Sequence, residues 1–205
     1  MTTSQQDIKL HFGPVTLDHL DRIHALESAG YPEDEAASYQ NLKYRIQNAN
    51  GTIANGYCAH CLRSHLLTCN FVIIDLFLGA YTDASETPAS LIGYTCSTRS
   101  IGSTLRHESM FKHEPSGESV CIHSVCVDGN LRRKGIATKM LKEYIVRLVA
   151  NNQSVAADNK KPTEWVLLLC KENLISLYSG AGFTLVGPSS VVHGQEQWFE
   201  MRIKL

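Results

Sequence analysis

The sequence predicts an α/β (α+β) fold, a mixed and mainly antiparallel sheet of about seven strands flanked by about four helices. Three observations carry that expectation. Residues 119–127, SVCIHSVCV, form an apolar β-branched run that Asp128, Gly129 and Asn130 break at once; Ile136, Met140, Tyr144, Ile145 and Leu148 then recur at helical spacing. Residues 70–80 and 91–98 are two further β-type runs joined by a polar link, which reads as an antiparallel meander. Residues 165–170 return as a strand after the helix, and a helical crossover joins parallel neighbours.

Taken in order, residues 8–12 alternate apolar and polar side chains as a first strand, ended by Gly13 and Pro14. Thr16 is positioned to cap the first helix. Leu17, Leu20, Ile23 and Leu26 lie three apart and predict an amphipathic helix stopping at Gly30, which leaves Asp18, Asp21 and Glu27 in solvent. Pro32 cannot continue a helix and keeps Tyr31 extended, so the two make a stiff corner. A second helix carries Tyr39, Leu42 and Ile46 and runs out at Asn50 and Gly51. Residues 51–69 show no clear pattern. A polar link over 99–117 holds His107, Glu108, Met110 and His113, and its histidines are expected in solvent. Residues 151–162, rich in Asn, Lys and Ala, read as a mobile connector. Asn173 is placed to cap a short helix bearing Leu174, Leu177 and Tyr178, closed by Gly180 and Gly182. Residues 183–186 and 197–203 supply the last strands.

The length of 205 residues holds one domain, 1–205, with a real core. Lys and Arg number 19 against 20 Asp and Glu, which excludes a broad polyanion-binding face and with it nucleic acid as a partner. No apolar run approaches the roughly 20 residues that cross a bilayer, so the expectation is a cytoplasmic monomer without a membrane role. Seven Cys, an odd number placed mostly in apolar runs, fit buried free thiols. Cys58, Cys61, His65 and Cys69 contain a C-x-x-C that could ligate zinc. There is no second such pair, and the interleaved Leu62, Leu66 and Leu67 fit a half-packed loop, so no metal is expected.

The strand-to-helix loop holds the chemistry. A helix starting there offers unpartnered backbone N–H groups and the positive end of its dipole to an anion, phosphate above all. Gly135 and Ala137 allow close approach, while Arg132, Arg133 and Lys134 add charge. Arg132-x-x-Gly135-x-Ala137 after Ser124-Val125-Cys126-Val127 resembles the acetyl-CoA loop of the GNAT superfamily of N-acetyltransferases. His123 on that strand, with Tyr178-x-x-x-Gly182-Phe183 downstream, is similar to the arylalkylamine (serotonin) N-acetyltransferases, particularly the shorter non-vertebrate branch.

That resemblance implies acetyl transfer from acetyl-CoA to the primary amine of an arylalkylamine by direct attack in a ternary complex. Val125, Cys126 and Val127 would hydrogen-bond pantetheine, Arg132, Arg133, Lys134, Gly135, Ile136, Ala137 and Thr138 would hold the pyrophosphate, and Asn173 would orient the pantetheine arm. Tyr31, Pro32, Val125 and Leu169 would face the acceptor. His123 would be the base, since imidazole is a base at neutral pH, and Tyr178 the acid for the leaving thiolate. Strand alternation puts Cys121 and Val125 on the side of His123, with Ile122, Ser124 and Cys126 opposite. The vertebrate enzymes carry a second histidine where this chain has Cys121, so His123 would act alone or with water. Cys121 as an acyl carrier, polyamine or protein acetylation, and a CoA-binding module without catalysis are the competing readings.

Overall fold

A computed structural model of the chain describes residues 8–49, 76–82, 90–157, 161–191 and 194–205. Its strands are β1 (Leu10–Pro14), β2 (Phe77–Thr82), β3 (Leu91–Ser100), β4 (Ser119–Val127), β5 (Trp165–Cys170), β6 (Thr184–Pro188) and β7 (Phe199–Lys204). They form one seven-stranded sheet in the order β1-β2-β3-β4-β5-β7-β6. Every neighbouring pair is antiparallel except β4 and β5. Among the described residues the helices are α1 (Leu20–Gly30), α2 (Tyr39–Ala49), α3 (Ile136–Ala157) and α4 (Ile175–Gly180), with short 3-10 turns between. The predicted mixed sheet and flanking helices are therefore the observed fold.

Each sheet face is covered by a different helix set, which is why the strands read as nearly continuous apolar runs. On one face, Ile136, Met140, Leu141, Tyr144 and Leu148 of α3 pack over Leu78, Ile92, Val120, Ile122 and Val166. On the other, Leu20, Ile23 and Leu26 of α1 join Leu42 and Ile46 of α2 over Phe77, Tyr94, Cys96 and Cys126. Each such side chain, fully buried, contributes roughly 1.5–3 kcal/mol.

Several expectations change. β1 runs through Gly13 and ends at Pro14, a position that a strand at the sheet edge tolerates. Leu17 is exposed in a 3-10 turn, and α1 begins only at Leu20. Its buried face is Leu20, Ile23, Leu26 and Glu27, so the carboxylate expected in solvent is 1% exposed. Residues 151–157 continue α3 instead of forming a connector. Asn152 in that turn accepts from Thr163 N–H at 2.7 Å and donates to Thr163 O at 2.6 Å, which ties the helix end to the chain leading into β5. Asn173 sits within the 3-10 turn Glu172–Leu174, whose cap is Lys171. Cys58, Cys61, His65 and Cys69 lie outside the described residues, as does most of the link before β3. No described helix is long and apolar enough to cross a membrane. The described cysteines Cys96, Cys121, Cys126 and Cys170 are free and buried.

Candidate active site

Two irregularities in β4 build the site. The first is a bulge: Cys96 of β3 opposes Ser124 while Ser97 opposes Ile122, which leaves His123 without a cross-strand partner. A bulge shifts the alternation of side chains by one residue. Ile122 and Val125 consequently face α3, whereas Cys121, His123, Ser124 and Cys126 face the other side. The uninterrupted alternation expected from the sequence is corrected here; Val125 turns away from His123, and Ser124 joins it.

The second is a splay. Parallel pairing of β4 with β5 ends at Ile122↔Leu168, so the remainders of the two strands face one another without a ladder. A cavity of about 470 Å3 lies at the free end of β5, lined by Tyr31, Pro32, Leu169, Asn173, Tyr178 and Trp198. The Val125 N–H, freed from sheet pairing on this side, donates to the Tyr31 hydroxyl oxygen at 3.2 Å. An unpaired strand edge of this kind can take a ligand as an added strand.

The loop after β4 departs from regular backbone just before α3. Arg133 adopts φ +62° and Gly135 φ +74°, both in the left-handed region. At Arg133 that conformation costs about 1–2 kcal/mol, strain of a kind that collects at ligand sites. The first turn of α3, with Ile136, Ala137 and Thr138, adds its free amides. Arg133 and Lys134 are exposed. Arg132 instead braces the loop, its guanidinium donating to Val127 O at 3.2 Å and Ala29 O at 3.3 Å.

A smaller cavity of about 90 Å3 adjoins the first and shares Tyr31, Glu35, Leu169 and Trp198 with it. His123 lines it. The His123 Nε2 lies 2.7 Å from Thr98 Oγ1, while its Nδ1 is buried and has no partner among the described residues. Burial, with a lesser push from the Arg45 cation, drives the His123 pKa well below the usual histidine range, so the ring is neutral at physiological pH. Tyr178 borders the larger cavity, 5.9 Å edge-to-face from Phe183, and burial raises its pKa so that it stays a phenol. Cys121 lines neither cavity. It packs with Leu105 and Leu167, and burial raises its thiol to about 11, which argues against an acyl carrier.

Sequence reasoning missed three groups. Glu27 accepts from Ser124 Oγ at 2.9 Å, Ala37 N at 3.0 Å, Tyr94 OH at 2.5 Å and Cys126 Sγ at 3.1 Å. Its place one turn after Ile23 was the available signal. His107, Met110 and Phe111 line the smaller cavity from the β3–β4 link, where no signal in the sequence pointed inward. Lys171 bridges Glu35 at 2.6 Å and Glu196 at 3.0 Å and lies 4.2 Å over the Trp198 ring, roofing the boundary between the cavities. The expected wall of Tyr31, Pro32, Val125 and Leu169 is divided: Tyr31 and Leu169 touch both cavities, Pro32 only the larger, and the Val125 side chain packs toward α3. The described residues hold no cluster of metal-ligating side chains.

No family model matches the sequence. Over 204 residues, 96% of this chain and 88% of the relative, it is 23% identical to serotonin N-acetyltransferase of Mesocricetus auratus. Among solved structures, the loading GNATL domain of CurA from Lyngbya majuscula matches with TM-score 0.62 at 12% identity, over 96% of this chain and 98% of that one. The GphF GNAT-like decarboxylase in complex with isobutyryl-CoA matches with TM-score 0.61 at 15% identity, over 95% and 98%. The NatC complex bound to Gag peptide and CoA matches with TM-score 0.60 at 15% identity, over 97% and 99%. The fold is thus that of the GNAT proteins, a fold that carries decarboxylation as well as acetyl transfer.

Proposed function

We propose that the chain is an acetyl-CoA:amine N-acetyltransferase acting on arylalkylamines. The observation that carries this is the splayed edge of β4, where the Val125 N–H already holds an oxygen, beside a loop with Arg133 and Gly135 left-handed ahead of a helix N-terminus. A thioester carbonyl on that amide would have its developing negative charge stabilised. The loop from Arg133 to Thr138 suits the pyrophosphate of CoA, and Asn173 and Tyr178 border the space between. The similarity to serotonin N-acetyltransferase favours an amine acceptor. The His107 and Phe111 rings at the edge of the smaller cavity favour an aromatic one.

In this reading His123 takes a proton from the amine side and Tyr178 serves the sulfur side, each in its own cavity. A histidine kept neutral by burial is a weak base toward a free ammonium but a sufficient one toward the acidic nitrogen formed once attack has begun. Desolvation that raises the Tyr178 phenol also makes a leaving thiolate more basic, so donation remains matched. The Glu27 and Glu35 carboxylates on the smaller cavity's wall support a second acceptor class, the polyamines.

The deciding experiment measures CoA thiol release with a panel of arylalkylamines, polyamines and peptides. Arylalkylamine turnover well above the others is the expected result; preference for peptides would reassign the acceptor, and no turnover with normal acetyl-CoA binding would leave a binding module. Two variants refine the assignment. Tyr178→Phe should lower kcat by about tenfold or more with little change in acetyl-CoA affinity; an equal loss of affinity would make Tyr178 a packing residue. Tyr31→Phe removes the oxygen that competes for Val125 N–H. Calorimetry should then find acetyl-CoA binding tightened by up to about fivefold, the value of one hydrogen bond. Weaker binding would mean that the phenol holds the cofactor.

A further inference from the structure

The smaller cavity is too small for the acceptor assigned to it, and the space beyond has a direction. A benzene ring inside a protein core needs a cavity of roughly 150 Å3; this one measures about 90 Å3. Two larger spaces adjoin it. One is the 470 Å3 cavity, reached past Tyr31 and Leu169, which acetyl-CoA would fill. The other is an open groove of about 450 Å3 lined by Leu105, Arg106, His107, Glu108, Ser190 and Val191, and it shares His107 and Val191 with the smaller cavity.

We infer that the amine substrate spans the smaller cavity and this outer groove, its nitrogen beside His123 and its distal ring passing His107 onto the β3–β4 link. The inference rests on the acetyl-transfer reading and adds the element that selects the acceptor. That element is preformed. Ser109 Oγ donates to Arg106 O at 2.6 Å and accepts from Arg106 N at 3.1 Å, closing the turn, and Arg45 donates to Met110 O at 3.1 Å from α2. His107 and Phe111 meet edge-to-face at 5.2 Å, so the divider His107 stands against a second ring on the cavity side. Rigid aromatic walls bind a ring at little entropic cost, and the flanking Arg106 and Glu108 present a donor and an acceptor to a polar ring substituent. The substrate class is accordingly an arylalkylamine with a hydrogen-bonding group on its ring.

Steady-state kinetics with two acceptors test this, serotonin as the long one and propylamine as one short enough to stay within the smaller cavity. His107→Trp narrows the passage, and Ser190→Trp fills the exposed groove without touching core or catalytic groups. In either variant the KM for serotonin should rise by about tenfold or more, as the loss of one ring subsite implies. The KM for acetyl-CoA should hold in both, and in Ser190→Trp, which lies outside the smaller cavity, kcat/KM for propylamine should stay within about twofold. Should His107→Trp fold poorly, as its melting curve would reveal, Ser190→Trp decides alone. Equal effects of Ser190→Trp on both amines, or none on serotonin, overturn the outer subsite while leaving acetyl transfer intact. Absence of turnover with every amine in the unaltered protein overturns acetyl transfer itself, and the subsite with it.

Discussion

His123→Gln lowers turnover by about ten- to a thousandfold at neutral pH while acetyl-CoA still binds. Glutamine can keep the hydrogen bond to Thr98 Oγ1 made by Nε2 at 2.7 Å, so the bulge survives and the loss reports the missing proton acceptor. The pH dependence separates the roles further. Because burial and Arg45 depress the His123 pKa, its acid limb lies below the ordinary histidine value near 6.5. Turnover at saturating amine should therefore be flat from about pH 6.5 to 8 and fall only below. The variant should instead gain rate as pH rises, since hydroxide must then take the proton from the nitrogen that has attacked. Equal rates at pH 7 for the two proteins exclude His123 as the base. The same depression has a stability consequence of fixed sign. The unfolded chain binds a proton near pH 6.5 that the folded chain refuses, so the contribution is complete above that pH and is lost as pH falls toward the folded value. The slope is at most about 1.4 kcal/mol per pH unit. Urea melts at several pH values should flatten by that amount in His123→Gln.

The sheet was legible because its interior strands are buried on both faces, and runs such as residues 165–170 admit no other reading. The strand–loop–helix order around Arg132 to Ala137 was legible because Asp128, Gly129 and Asn130 break the apolar run before helical spacing resumes. What the sequence left hidden were features set by register. One extra residue in β4 moves Ser124 onto the side of His123 and turns Val125 away, and composition carries no trace of that insertion. Nor does composition show that His107, exposed as expected, also edges the cavity, a place that depends on how residues 101–118 fold back over β4. Helix phase misled for a different reason. Spacing of three from Leu17 selects a stripe that drifts around a 3.6-residue helix, and the chain before Leu20 is not α-helical at all. Counting from Leu20 instead brings Glu27 onto the buried face.

Glu27→Ala destabilises the protein by about 3 kcal/mol, a fall in Tm of roughly 6–12 °C, and slows turnover as well. The carboxylate is the common acceptor for Tyr94, Ser124, Cys126 and Ala37, all in α1's shadow. Tyr94 is 0% exposed and Ser124 2%, so water cannot replace the lost acceptor without opening the core. Glu27→Gln tells the electrostatic part from the geometric. The Tyr94 hydroxyl and Cys126 thiol can rotate to accept from a new amide N–H, whereas Ala37 N–H needs an oxygen and can keep one. The amide variant should therefore lose only about 1 kcal/mol. The effect on turnover comes from position. Ser124 and Cys126 flank Val125, whose N–H is the proposed oxyanion donor, and a displacement of about 1 Å at such a donor can cost on the order of a hundredfold. Glu27→Ala should accordingly reduce kcat by about ten- to a hundredfold, and Glu27→Gln much less. An alanine variant that melts with the unaltered protein would mean that the four donors find other acceptors. One that melts early but turns over normally would confine Glu27 to the core and free β4 from its influence.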